Sequence, residues 1–528
     1  MRANFGINSI ISIANTFSIP TKATDMLDVE ELTIAQAHTG FRQGDFTAKE
    51  LTAAFLSRID KFDHAGPKIN AMMALSSTAL EEAAQLDDHL NKTGQLKGSL
   101  HGIPVVVKDQ ADTKGIVTTY GSAAAKNNIP TQDAFVVTKL KQAGAVIIGK
   151  TTMAEWACAW YSANGATDYT FTKNPYHLDH DVGASSGGSA AAIAANFAIL
   201  AVAEDTGGSI RVPSSFCNIV GLRPTPGLIS RAGFCPLLKL HDTPGPMART
   251  VTDCALMLDS MVGFDPQDEY TEYAATAAAI GLPKGGSYST FLEDGPEKLN
   301  SARFGVVRQL FGSETNPDYQ AVCSVTASAM DKLQRHGTTF VDVHIDNLNH
   351  YLSYTQTYMI KGRTDINSFL ATKPNLPSDI ADIVPSKQVR PWLDLLSLTA
   401  HGPQDPTSDG TYVDRILTRD AFKRKVCSII ASQGLDALIF PDAKIPPPRA
   451  EDATSGKFPT ESFPVNTFFA SQACLPAISV PAGFTQEGLP VGLELVGLEH
   501  QEQHLLELAR GIEVVIGGRK APEVAVWV

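Results

Sequence analysis

The chain has 528 residues, 43% hydrophobic and 19% charged, the balance of a soluble globular protein long enough to bury a substantial core. A formal net charge of −13 with no basic block argues against a nucleic-acid partner, and no stretch reaches the roughly 18 consecutive apolar residues of a membrane-spanning helix. Seven scattered cysteines, odd in number and mostly in apolar contexts, read as reduced core thiols and suggest a cytoplasmic address.

Residues 1–26 read as a flexible lead-in. Phe5 to Pro20 is mildly apolar, but Asn8, Ser9, Asn15 and Ser18 interrupt the clean apolar core that a signal peptide needs, which leaves only a weak organelle-targeting role open. Residues 27–60 have helical spacing, with Gly40 ending a first helix and the Thr47…Glu50 pair starting a second as a capping box. Ala71 to Leu90 reads as a strand and then a helix with an acidic solvated face.

Ile103-Pro104-Val105-Val106-Val107-Lys108-Asp109 reads as a buried strand ending in a lysine. Such a lysine either pairs at the strand mouth with Asp109 or Asp112, or is held desolvated so that its neutral form becomes accessible. Gly144 to Thr151 fits the P-loop pattern literally, but its four intervening residues are β-formers, so it reads as a strand and not a phosphate cradle. From Thr152 to Tyr161 the aromatic residues follow helical spacing, which suggests a core stripe or a pocket wall. His177, Asp179, His180 and Asp181 cluster on a polar loop. No further ligand appears at a metal-site spacing, so no metal is expected there.

The densest passage runs from Gly183 to Arg211. It opens Gly183-Ala184-Ser185-Ser186-Gly187-Gly188-Ser189 and closes Asp205-Thr206-Gly207-Gly208-Ser209-Ile210-Arg211. Between the two loops, Ser189 to Ala203 reads as a buried helix that brings two glycine turns to one place. Gly183 to Gly187 also fits the G-x-S-x-G elbow of α/β-hydrolases, which would make Ser185 the nucleophile with a late histidine such as His500 as base; that elbow requires a preceding strand, and the preceding residues are polar and proline-broken.

Both loops, the Gly-Ile-Pro-Val-Val-Val-Lys-Asp phrase and the Pro213 to Thr225 continuation resemble the amidase signature family. Recognisable segments continue through Gly245–Met261, Ala477–Gly483 and Leu489–Gly497. The resemblance implies one large α/β/α domain over 27–522, with a mixed, mostly parallel central sheet flanked by helices. Within it lie a catalytic half at 70–262, a variable lid or substrate region at about 263–435, and closing strands and a helix at 436–515.

The resemblance also implies a Ser-Ser-Lys relay, with Ser209 as nucleophile, Ser185 as bridge and Lys108 as base. The N–H groups of Thr206, Gly207, Gly208 and Ser209 would form the oxyanion hole. Ser186 and Asp205 would hold the loops in register, Arg211 would anchor the second loop through the first, and Trp156 and Tyr161 would contact substrate. The family holds the peptide bond before its first serine cis. Here that bond is Ala184–Ser185, with alanine where the family usually has glycine. The implied reaction cleaves small neutral amides or carbamates, and esters, without a cofactor. One branch of the family is instead the amide-cleaving component of an aminoacyl-tRNA amidotransferase. Many relatives form homodimers, for which this sequence carries no signal of its own.

Overall fold

Thirteen strands, most of them short runs of β-branched and apolar residues, form in the computed structural model, which describes residues 27–167, 171–313, 315–384, 393–523 and 527. In chain order they are β1 (Met72–Leu75), β2 (Pro104–Lys108), β3 (Val146–Thr151), β4 (Lys173–Asn174), β5 (His177–Asp181), β6 (Leu200–Asp205), β7 (Val220–Arg223), β8 (Thr243–Ala248), β9 (Arg303–Val306), β10 (Thr339–Asp342), β11 (Ala437–Pro441), β12 (Ala477–Phe484) and β13 (Pro490–Val496). Eleven of them build one mixed sheet in the order β1-β3-β2-β6-β8-β7-β12-β13-β11-β9-β10, while β4 and β5 pair separately.

Parallel pairing is confined to two blocks, β3-β2-β6 and β11-β9-β10, and the strands between them run antiparallel. β2, β3 and β6 are buried along their whole length, as strands covered on both faces must be. The Gly144 to Thr151 segment is therefore the strand its β-formers dictate. The closing helix Glu502–Ile516 packs on β12 and β13.

The first two helices, Ile34–Gln43 and Ala48–Ile59, both begin with a reciprocal capping box. At the second, Thr47 N–H donates to Glu50 Oε2 at 2.9 Å and Glu50 N–H to Thr47 Oγ1 at 3.1 Å. Residues 1–26 lie outside the described residues.

Three sequence expectations change. Gly40 does not end the first helix, which runs on to Gln43 and is capped by Gly44 at a φ of 75°. Ser189 to Ala203 is not one helix: a short helix, Gly187–Ala194, ends before Asn196, which takes a left-handed φ of 60°, and the chain then enters β6. Every residue of this stretch is buried, so the apolar pattern had no period to separate helix from strand. Thr152 to Tyr161 is not an α-helix either. It holds a single 3₁₀ turn, Glu155–Ala157, and positive φ at both Trp156 (51°) and Ala157 (61°) breaks any helical path.

Candidate active site

β2 and β6 lie side by side in parallel register, Val107 against Val202, so their carboxyl ends emerge together. Lys108 ends β2 and Asp205 ends β6, with the Thr206–Ser209 loop following directly. The Gly183–Ser186 turn is brought to the same place by helix Gly187–Ala194, which packs on β6 and β2.

Lys108 is wholly buried. Its Nζ donates to Ser185 Oγ at 2.8 Å, to the Glu204 carbonyl at 3.2 Å and to Glu204 Oε2 at 3.2 Å. Neither carboxylate suggested by the sequence pairs with it. Asp109 accepts from Thr119 and faces Lys150, and Asp112 accepts from Tyr120 and Lys373. Burial pushes the Lys108 amine below its usual value, against the pull of Glu204, Asp205 and Asp242.

The two serines meet through the Ser185 N–H, which donates to Ser209 Oγ at 3.3 Å. Among the described residues the cis peptide bond is Leu282–Pro283, so Ala184–Ser185 is trans and not cis as the resemblance implied. The turn is made instead by consecutive positive φ values, 75° at Gly183 and 38° at Ala184, with the Ala184 N–H anchored on the Trp160 carbonyl at 2.7 Å. Left-handed alanine costs about 1–3 kcal/mol, which the surrounding packing must offset.

None of the N–H groups of Thr206, Gly207, Gly208 and Ser209 donates to another protein group among the described residues. The loop turns at Gly208, where φ is 147° and an added Cβ would lie 2.0 Å from Thr467 Oγ1. Beneath it, Asp205 is gripped by two buried arginines. Arg211 donates to both carboxylate oxygens, and Arg223 donates to the Asp205 carbonyl at 2.6 Å and to Oδ1 at 2.9 Å. Burial opposes the charge, but the two guanidiniums hold Asp205 well below the usual carboxylate range.

Ser186 Oγ donates to the Glu204 carbonyl at 3.1 Å, linking the first loop to β6. Arg211 does not reach that first loop. Its Nη atoms go to the Thr467 carbonyl and Ser471 Oγ, both at 2.8 Å, and to Glu494, so it ties the second loop to helix Phe468–Ala473 and to β13.

A cavity opens at Ser209, walled by Trp160, Leu237, Tyr358, Met359, Leu398 and Phe468. Trp156 and Tyr161 do not line it. Trp156 stacks on Tyr120, with centroids 5.5 Å apart, and Tyr161 meets Phe463 edge-on. The aromatic wall comes instead from Trp160, which the same sequence stripe contained. Tyr358 and Met359 fall within the 263–435 stretch expected as a lid or substrate region, where no single residue was marked, and Phe468 comes from the closing part of the chain, where nothing pointed to the cavity. Nor did any motif signal Glu204 as the lysine's partner, although it immediately precedes the Asp205 loop.

His500 lies against Tyr273, and the polar contact of Ser185 Oγ is with Lys108, so the histidine-based elbow is not assembled. β5 does precede the serine loop, but in the small two-stranded sheet and not in the main one. His177 and His180 both place Nδ1 2.8 Å from Asp179 Oδ1, and Arg449 occupies Oδ2 of the same carboxylate. Asp181 turns away from them and braces the serine loop, accepting from Gly183 N–H at 2.7 Å and Ser162 Oγ at 2.7 Å.

Known proteins resemble this chain in sequence and in fold. The Amidase family profile matches residues 50–506. The glutamyl-tRNA(Gln) amidotransferase A-subunit of Alkaliphilus metalliredigens is 34% identical over 508 residues, 93% of this chain and 98% of that protein. The solved peptide amidase of Stenotrophomonas maltophilia superposes with a TM-score of 0.79 at 30% identity, covering 94% of this chain and 99% of that one. The glutamyl-tRNA(Gln) amidotransferase A-subunit of Thermotoga maritima gives 0.72 at 25% identity, with 94% and 99% covered. A profile match over most of the chain, with the signature loops gathered around one lysine, means that the chain belongs to the Amidase family and is an amidase-signature hydrolase that cleaves C–N bonds.

Proposed function

We propose that the chain hydrolyses neutral amides or carbamates, and esters by the same route, through an acyl-enzyme on Ser209 with Ser185 and Lys108 as its proton relay. The observation that carries this reading is the contact series from Lys108 Nζ to Ser185 Oγ at 2.8 Å and from Ser185 N–H to Ser209 Oγ at 3.3 Å, ending at the wall of an apolar cavity. A serine hydroxyl is a weak nucleophile at neutral pH and needs a base. Neutral Lys108 accepts the Ser185 proton while Ser185 accepts that of Ser209. Ser209 Oγ then attacks the carbonyl carbon, and the oxyanion forms against the unpaired N–H groups of residues 206–209. The proton returns through Ser185 to the leaving nitrogen, the C–N bond breaks, and water enters by the same relay to release the acid.

The cavity supports the substrate class. Its wall is aromatic and aliphatic, with Asp394 and Glu461 as its acidic groups and no lysine or arginine among the described residues. An anionic substrate would meet no counter-charge there. Ser209→Ala should lose hydrolysis across a panel of acetamide-like, aryl-amide, peptide-amide and carbamate substrates. A Ser209→Ala enzyme as fast as wild type would sink the reading.

The curated relatives favour a second reading. The Alkaliphilus metalliredigens protein, 34% identical, is named a glutamyl-tRNA(Gln) amidotransferase A-subunit, and on this reading the chain serves as the amide-cleaving component of such an assembly. In that case tRNA would be bound by the assembly, against the expectation drawn from the chain's acidic charge. Glutamine carries a carboxylate that the described cavity wall does not match, which supports the simple-amide reading against the names of those relatives. Purifying the chain from its own cells separates the two. A stable second protein in the complex, with glutamine hydrolysed only in its presence, would establish the amidotransferase reading.

A further inference from the structure

Behind Lys108 lies a second polar cluster that the relay does not use. Glu204, 1% exposed, presents Oε2 to Lys108 Nζ at 3.2 Å and Oε1 to Thr206 Oγ1 at 3.0 Å. Thr206 Oγ1 is also 2.7 Å from Asp242 Oδ1. One hydroxyl has one proton, so it can satisfy only one of the two carboxyl oxygens. The other approach requires a proton on a carboxyl group. Asp242 is the group that holds it: burial and the neighbouring Glu204 charge push its carboxyl well above the usual range. Asp242 then donates to Thr206 and Thr206 donates to Glu204 Oε1, which leaves Glu204 Oε2 facing Lys108 Nζ.

Glu204 and Asp242 also help wall a cavity of about 390 Å³, with Gln110, Arg231 and Phe369, that shares no lining residue with the cavity at Ser209. The acidic groups facing Lys108 are Glu204, Asp205 and Asp242. Asp205 is already engaged by Arg211 and Arg223, and Arg231 faces Asp242 from the far side. Glu204 is therefore the charge in direct contact with the amine.

We propose that Glu204 is a positioning residue of the relay: its carboxylate, oriented by Thr206 and Asp242, holds the Lys108 amine on Ser185 and sets the pH at which that amine becomes neutral. The proposal rests on Lys108 being the relay base. Removing an opposite charge in direct contact lowers an amine's pKa by about 1–3 units. Without Glu204 the relay becomes competent at lower pH, though less well aligned.

The test follows the second-order rate at which phenylmethanesulfonyl fluoride sulfonylates Ser209 across pH, which needs no knowledge of the natural substrate. For Glu204→Gln, the midpoint of the acid limb is expected to fall by about 1–3 pH units, with a lower plateau. Asp242→Asn, which replaces a group that already carries its proton, is expected to leave the midpoint in place. A Glu204→Gln chain with a lowered plateau but an unmoved midpoint would show a merely structural role and overturn the proposal. If Glu204→Gln does not fold, Asp242→Asn decides alone: a midpoint that drops by a pH unit would put the charge on Asp242 and overturn the assignment, and an unmoved one supports it. A wild-type chain inert to the reagent at every pH would overturn the Ser209 reading as well, which distinguishes the two failures.

Discussion

Arg211 and Asp205 form a fully buried fork: Nη2 donates to Oδ1 at 2.9 Å and Nε to Oδ2 at 3.2 Å, directly beneath the loop that carries Ser209. A planar guanidinium suits this bidentate geometry in a way that an ammonium cannot. Arg211→Lys should therefore behave as a disruptive change. Lysine keeps the positive charge, but its ammonium cannot reach Asp205, the Thr467 carbonyl, Ser471 and Glu494 together as the guanidinium does, and each buried acceptor left unsatisfied costs about 1–3 kcal/mol. The expected result is a chemical-denaturation midpoint well below wild type together with a fall in kcat. Wild-type stability in Arg211→Lys would show that the fork carries little.

The proposed relay makes a kinetic prediction. Groups that act as a unit lose their effect together, so Ser209→Ala, Lys108→Ala and the double variant should each lower kcat by about 10⁴–10⁶-fold, without multiplying. The pH–rate profile of kcat/KM should rise with pH as Lys108 loses its proton, because the base acts only when neutral. A double variant whose loss is the product of the single losses would separate the lysine from the serine chemically.

How much of this site could be read in advance depends on what kind of signal each part leaves. Lys108, Ser185 and Ser209 sit in phrases whose glycines and hydroxyls have few other uses, and the strand ahead of Lys108 is a run of β-branched residues. The placement of Lys108 and Ser209 at the carboxyl ends of adjacent strands follows from β2 pairing with β6, and helix Gly187–Ala194 packing on those strands brings Ser185 beside them. The cavity wall was illegible because Tyr358, Met359, Leu398 and Phe468 come from segments far along the chain, where aromatic and aliphatic residues look like any other core. Glu204 was missed for the opposite reason: a carboxylate beside Asp205 looks like solvated surface until β6 is seen to be wholly buried. The turn before Ser185 was misjudged because Ala184 takes the left-handed region, which alanine rarely enters.

His504 offers a stability test away from the site. It bonds Asp436 at 3.2 Å and lies 3.8 Å from Glu507, and those two carboxylates raise its pKa to about 9 despite partial burial. An unfolded histidine titrates near about 6.5. The folded chain thus binds the proton more tightly, and its contribution to stability is full below about 6.5 and is lost as pH rises through about 9. His504→Gln should melt below wild type at pH 6, and the gap should close as pH rises past 9. A gap that stays constant over that range would mean that the histidine acts through packing alone.

Gly208 provides the sharpest check on the oxyanion loop. Its φ of 147° suits glycine, and an alanine Cβ would lie 2.0 Å from Thr467 Oγ1 and 2.6 Å from Thr467 Cβ. Thr467 cannot simply yield, because its Oγ1 donates to the Gly207 carbonyl at 2.9 Å and its own carbonyl accepts from Arg211 at 2.8 Å. Gly208→Ala must therefore displace the loop and turn its N–H groups out of register. Loss of one oxyanion donor costs about 10²–10³-fold in kcat, and that is the fall expected here, with KM much less affected. Adding Thr467→Ala removes the collision but not the backbone strain, so the double variant should recover only part of the loss. Full kcat in Gly208→Ala would mean that the oxyanion is held elsewhere, while full recovery in the double variant would assign the whole effect to the side-chain clash.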